Sequence, residues 1–132
     1  MPSPYKILVI EARFYEDIAD EMVRGAVAEL EASGCTYERF AVPGVFEIPA
    51  AVAYSIRSMD VFTGRRRFDG YVALGCVIRG ETTHYDYVCG ESARGLMELT
   101  LKEHLAIGYG IVTVNTMDQA KARAFTDRGD KG

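Results

Sequence analysis

Residues 71–78, Tyr-Val-Ala-Leu-Gly-Cys-Val-Ile, form an unbroken apolar run with no period-two alternation. A strand of that kind is buried on both faces, as happens where helices cover a parallel sheet. The run leads directly into Arg79-Gly80-Glu81-Thr82-Thr83-His84 and then into a long helical pattern. Such a strand-to-helix turn sets backbone N–H groups and short hydroxyls at a helix N-terminus. There the unsatisfied donors and the positive end of the helix dipole favour an anion such as phosphate. One of the two histidines of the chain, His84, stands in the same turn. These residues read as an anion cradle beside a proton carrier.

Around this turn the chain alternates strand and helix patterns. Lys6-Ile7-Leu8-Val9-Ile10 reads as a buried strand, with Glu11 to Tyr15 as the loop at its carboxyl end. From Asp17, a suitable N-cap, the apolar residues Ile18, Met22, Val23, Ala26, Val27 and Leu30 recur at helical spacing, and Gly34 suits a C′ position. Thr36 to Val42 alternates as a strand that Pro43-Gly44 ends. A helix is expected from Ala50 to about Met59 with Pro49 in its first turn, followed by a solvated connection through residues 63–67. After the central strand to Ile78, a helix from about Tyr85 to His104 presents Val88, Ser92, Leu96 and Leu99 on one side. Ile107 to Val114 is another buried strand, and Asn115-Thr116 can cap a last helix from Met117 to Ala124. The order β-α-β-α-β-α-β-α predicts a three-layer, doubly wound α/β sandwich on a four-stranded, mainly parallel sheet, with flavodoxin-like layering.

At 132 residues the chain is read as one domain. A net charge of −4 leaves no basic footprint for nucleic acid. No apolar segment reaches the roughly 18–20 residues of a membrane span, and the N-terminus lacks a secretory pattern. The three cysteines, Cys35, Cys76 and Cys89, show no C-x-x-C spacing and read as free thiols of a reducing cytoplasm.

Ligands of open α/β sheets sit outside the carboxyl ends of the strands. The four loops expected at that edge, 12–16, 42–47, 79–84 and 113–118, are read as one site. Phe14 follows a buried strand and is either a staple for the next helix or a stacking platform for a flat heterocycle. Glu47 either complements a helix dipole or accepts hydrogen bonds from ligand hydroxyls. Thr82 and Thr83 suit caps or a phosphate. Glu81 opposes an anion unless backbone N–H groups bind it and the carboxylate turns outward. His84, neither a good cap nor an obvious core residue, can carry protons near neutral pH. His104 suits a helix C-terminus. No His, Cys and carboxylate set has metal-ligand spacing, and G-x-S-x-G and P-loop motifs are absent.

Five ordered segments carry a resemblance to lumazine synthase: Ala12-Arg13-Phe14, Val42 to Pro49, Ala73 to Val88 with its Gly-x-Thr-x-His core, Gly110 to Thr113, and Asp118-Gln119-Ala120. The resemblance implies an enzyme of riboflavin biosynthesis that needs no metal or organic cofactor. It would condense 5-amino-6-ribitylaminouracil with 3,4-dihydroxy-2-butanone 4-phosphate to 6,7-dimethyl-8-ribityllumazine, phosphate and water. Carried over, Phe14 stacks on the pyrimidine, and Glu47 holds the ribityl hydroxyls with Val45 and Phe46. Backbone groups of Val77 and Ile78 bind the pyrimidine edge, Glu81 and Thr82 hold the phosphate through backbone N–H, and His84 shuttles protons. Tyr109 and Arg123 match positions supplied by a neighbouring subunit of a pentamer or an assembly of pentamers, and Lys131 matches a further site lysine. The family continues with an amphipathic helix beyond the position of Gly132, where this sequence stops, and often has a small residue at the position of Glu81. The same fold would also serve a catalytically silent flavin- or lumazine-binding protein, or a shell-forming one.

Overall fold

A computed structural model describes residues 5–58 and 67–130. Four strands, β1 (Lys6–Ala12), β2 (Thr36–Val42), β3 (Gly70–Ile78) and β4 (Ile107–Val114), alternate with helices α1 (Glu16–Ala32), α2 (Ile48–Ser58), α3 (His84–Glu103) and α4 (Met117–Ala124). A single 3-10 turn, Val45–Glu47, precedes α2. The sheet order is β2-β1-β3-β4 and every pairing is parallel. This is the doubly wound α/β arrangement that the alternation predicts.

Successive strand residues point to opposite faces, and the core divides accordingly. Leu8, Ile10, Tyr71, Ala73, Val77 and Ile111 face α2 and α3, where Val52, Val88 and Leu96 meet them. Val9, Leu74, Cys76, Val112 and Val114 face α1 and α4, against Ile18, Met22, Val23, Ala120 and Ala124. Both faces of the central strands are therefore dry, which is why β3 carries no polar alternation.

Several boundaries differ from expectation for identifiable reasons. β1 runs on through Glu11 and Ala12, because β2 pairs with it as far as Ala12↔Val42 and Arg39 neutralises Glu11. Helix α1 starts at Glu16 with Tyr15 at the N-cap and no side-chain cap bond, so Asp17 lies in the first turn and complements the dipole instead of capping. Helix α2 starts at Ile48, two residues before Ala50, because the 3-10 turn feeds into it. Helix α3 is shifted one residue toward the N-terminus, and His104 leaves it in the left-handed region at φ 54°. β4 and α4 have the expected bounds, and Thr116 caps α4 by accepting from the Gln119 N–H at 3.2 Å. Gly34 holds φ 76° after α1, as a C′ glycine should. The expected connection at 63–66 lies outside the described residues. Arg67, at its end, pairs with Glu38 at 2.9 Å.

Candidate active site

The chain leaves β1 in one direction to make β2 and crosses to the other side to make β3, so the carboxyl ends of β1 and β3 flank the topological switch point. Crevices form there because the two following connections diverge. A cavity of about 870 Å³ opens at this place, within the roughly 300–1,000 Å³ of small-molecule sites. Its lining is mainly apolar, with Thr82, Glu47, His84 and Glu91 and the hydroxyls of Tyr15, Tyr85 and Tyr87 as its polar groups.

Three of the four expected loops build it. The three-residue β1–α1 loop presents Phe14, 73% exposed, whose ring meets Tyr15 edge-on with centroids 4.9 Å apart. With so much of the ring in solvent, Phe14 is not packed against α1 as a staple would be, and its face is open. The turn after β2 places Val45 inward (buried) and Phe46 outward (half exposed), with Glu47 exposed at the cavity wall. Gly75 makes this possible: a Cβ there would come within 2.5 Å of Val45 Cγ2 and 3.2 Å of Ala12 Cβ. The turn thus lies on the sheet at a distance only glycine permits.

The third wall is the end of β3 and the start of α3. Val77 and Ile78 line the cavity, followed by Gly80, Thr82 and His84. Thr82 Oγ1 accepts from the His84 N–H at 3.3 Å, while Thr83, at the N-cap, makes no side-chain cap bond. The turn is tied down from outside. The Arg79 N–H donates to Val114 O at 2.9 Å, its Nε to Asn115 Oδ1 at 3.1 Å, and its guanidinium lies 4.3 Å from the centre of the Tyr85 ring. A 20-residue helix thereby directs its N-terminus at the cavity with Thr82 and His84 on its rim. Glu81, although exposed, does not line the cavity.

The fourth loop, after β4, does not line it. Tyr109 in β4 and Arg123 in α4 also lie away from it. Tyr109 is about half exposed on the edge strand, and burial raises its phenol pKa against the lowering effect of a hydrogen bond with Ser92. Arg123 donates to Gln119 O at 3.0 Å and is otherwise exposed. Lys131 lies outside the described residues. The cavity also takes in Tyr87, Val88 and Glu91, which sequence reasoning placed on α3 without a role. Their spacing from His84 by three, four and seven residues is the signal that puts them on its face. Cys76 borders the cavity, but burial pushes its thiol up to about 11, so it stays protonated and a poor nucleophile at neutral pH. Among the described residues no group of three or more His, Cys, Asp or Glu could hold a metal, and no helix is long and apolar enough to cross a membrane.

The family model for 6,7-dimethyl-8-ribityllumazine synthase matches residues 4–132. The chain belongs to that family. It is 54% identical to 6,7-dimethyl-8-ribityllumazine synthase 1 of Rhizobium meliloti over 98% of this chain and 84% of the relative. The synthases of Methylorubrum populi and Methylorubrum extorquens are 53% and 55% identical, over 96% of this chain and 74% and 72% of theirs. Of the site residues that the resemblance implies, Phe14, Val45, Phe46, Glu47, Val77, Ile78, Thr82 and His84 line one cavity of this chain.

Proposed function

We infer that this chain is a working 6,7-dimethyl-8-ribityllumazine synthase of riboflavin biosynthesis, joining 5-amino-6-ribitylaminouracil to 3,4-dihydroxy-2-butanone 4-phosphate. The observation that carries this is the convergence of an exposed aromatic platform, a carboxylate and a helix N-terminus bearing a histidine on one apolar cavity, in a chain matched by the family from residue 4 onward.

In this reading Phe14 stacks on the pyrimidine, backbone groups of Val77 and Ile78 bind its edge, and Glu47 accepts from the ribityl hydroxyls beside Val45 and Phe46. The phosphate lies against the N–H groups of Glu81 and Thr82, where the dipole of α3 favours it. The Glu81 side chain is exposed and not part of the cavity lining, so solvent screens its repulsion of the phosphate. His84, one turn from the phosphate, moves protons during Schiff-base formation, phosphate loss and ring closure. None of these steps needs a nucleophile from the protein, and much of the acceleration comes from holding two substrates together. Tyr109 and Arg123 complete the site of a neighbouring subunit, Arg123 at its phosphate, and Lys131 joins them. That Tyr109 and Arg123 do not line this chain's own cavity supports their assignment. Tyr87, Met97 and Leu101 are 63%, 59% and 68% exposed along α3 and fall within about 80° of helical arc. Arg94, paired with Glu91 and Glu98, stands in the same arc; the exposed apolar residues around it support burial between subunits, in a pentamer or an assembly of pentamers, and a cytoplasmic enzyme fits the free thiols.

Following lumazine absorbance with both substrates tests the activity, and no product at enzyme concentrations near those of substrate would refute it. In the same assay His84→Ala is expected to lower kcat severalfold, up to about 100-fold, at the low end of acid–base contributions because positioning persists. Unchanged kcat and kcat/KM in that variant would remove His84 from the mechanism.

A further inference from the structure

Arg13 stands beside the stacking residue but has no part in the reading above. Its surroundings give it one. Glu11 in β1 is 3% exposed, yet it is charged. Arg39 of β2 grips it with two bonds, Nε to Oε2 at 2.7 Å and Nη2 to Oε1 at 2.8 Å. Arg13 adds a third, Nη1 to Oε1 at 2.8 Å, and its Nη2 reaches Asp20 on α1. The Arg13 backbone N–H also donates to Val42 O at 3.1 Å. One residue of a three-residue loop is therefore pinned to β1, β2 and α1 at once.

Phe14 is the next residue, and its ring is not held by packing: it is mostly in solvent, with Tyr15 as its aromatic contact. What fixes the ring is the backbone that carries it, and what fixes that backbone is Arg13. Of this cluster Glu11 alone is buried, and the cost of removing its carboxylate from water offsets much of the attraction, so the cluster is a poor source of stability. It is well suited to holding one geometry, because both arginine forks accept few alternative arrangements.

We propose that Glu11 and Arg13, with Arg39 behind them, form a positioning clamp that holds Phe14 at the cavity mouth for the pyrimidine substrate. The clamp rests on the reading of Phe14 as the stacking platform. Arg13 and Glu11 are positioning residues: they touch Phe14's backbone support and not the reacting atoms.

The test is steady-state kinetics on the full chain, varying each substrate separately, with Phe14→Ala, Arg13→Met and the double variant. Arg13→Met keeps the side-chain stem and leaves both Arg39 bonds on Glu11, so the fold is retained. Loss of offset stacking is expected to raise KM for the ribitylaminouracil about two- to tenfold in Phe14→Ala. Arg13→Met should raise the same KM to a similar extent and leave KM for the butanone phosphate unchanged. In the double variant KM should match that of Phe14→Ala alone, since a clamp with nothing to position adds nothing. Glu11→Gln should reproduce the Arg13→Met pattern. Additive effects in the double variant, or equal changes in both KM values, overturn the clamp and leave Phe14 standing as the platform. An unaltered KM in Phe14→Ala overturns the reading of Phe14 itself, and the clamp with it.

Discussion

Glu11 is buried in a strand with its charge intact, because three guanidinium bonds replace the water it loses. Hydrogen bonding from Arg39 is the largest cause of its lowered pKa, offset in part by burial and assisted by Arg13. A carboxyl whose folded pKa is depressed contributes stability above its unfolded value, near 4.5, and that contribution is lost as pH falls through the folded value. Stability measured by urea titration should therefore fall more steeply below about pH 4.5 in the natural chain than in Glu11→Gln. Identical acid limbs would show that Glu11 contributes nothing there. Nothing in Val9-Ile10-Glu11-Ala12-Arg13 marks this carboxylate as buried. Its main partner, Arg39, is 28 residues away and reaches it only once β1 and β2 pair with Val9 opposite Arg39. The placement of Phe14 and His84 at the cavity, by contrast, was legible because it depends on local position, one after a buried strand and the other in a helix's first turn.

Among the elements, the 3-10 turn before α2 depends on a vacancy in β3. Gly75→Ala would drive a methyl into Val45 Cγ2, and β-branched Val45 has little χ1 freedom with which to move aside. The variant should lose about 1–3 kcal/mol of stability, the usual cost of overpacking. It should also raise KM for the ribitylaminouracil, because Phe46 and Glu47 move with the turn. Wild-type melting and kinetics in Gly75→Ala would show that the turn has slack. Periodicity could not reveal this turn, since Val45-Phe46-Glu47-Ile48 fits a helix start as well as a 3-10 turn; the contact with Gly75 decides it. The end of α3 offers an independent test. His104 adopts φ 54° at the C-cap, a conformation that strains a Cβ and suits glycine. His104→Gly should raise stability by about 0.5–1 kcal/mol in chemical denaturation and leave kcat unchanged. A loss of stability would mean that the imidazole contributes more than its backbone costs.

For the whole molecule, the β2-β1-β3-β4 order explains which loops share a site. Sequence order alone put four loops at one edge. Topology brings those after β1, β2 and β3 to the switch point and leaves the one after β4 holding Arg79 through Asn115. The same order makes β4 an edge strand, where Tyr109 is half exposed beside Ser92 of α3, and α4 packs on the other face of the sheet, so neither Tyr109 nor Arg123 lines this cavity. Under the proposed function a neighbour completes the site, which would tie catalysis to assembly. The exposed apolar residues Tyr87, Met97 and Leu101 lie along α3, the helix that also carries His84, with Arg94 and its partners Glu91 and Glu98 among them. A further, unpaired charge on that face would meet a desolvation cost in any interface that buries it. Leu101, 68% exposed in the protomer, can accept that charge without disturbing the fold. Leu101→Glu should therefore lower the native mass toward that of the protomer in light scattering while circular dichroism stays unchanged. Activity should fall with the mass, and recover in part as protein concentration rises, because association by mass action restores the shared site. A variant that keeps its mass shows that this face lies outside the interface; one that dissociates yet retains full kcat shows that each protomer is sufficient by itself.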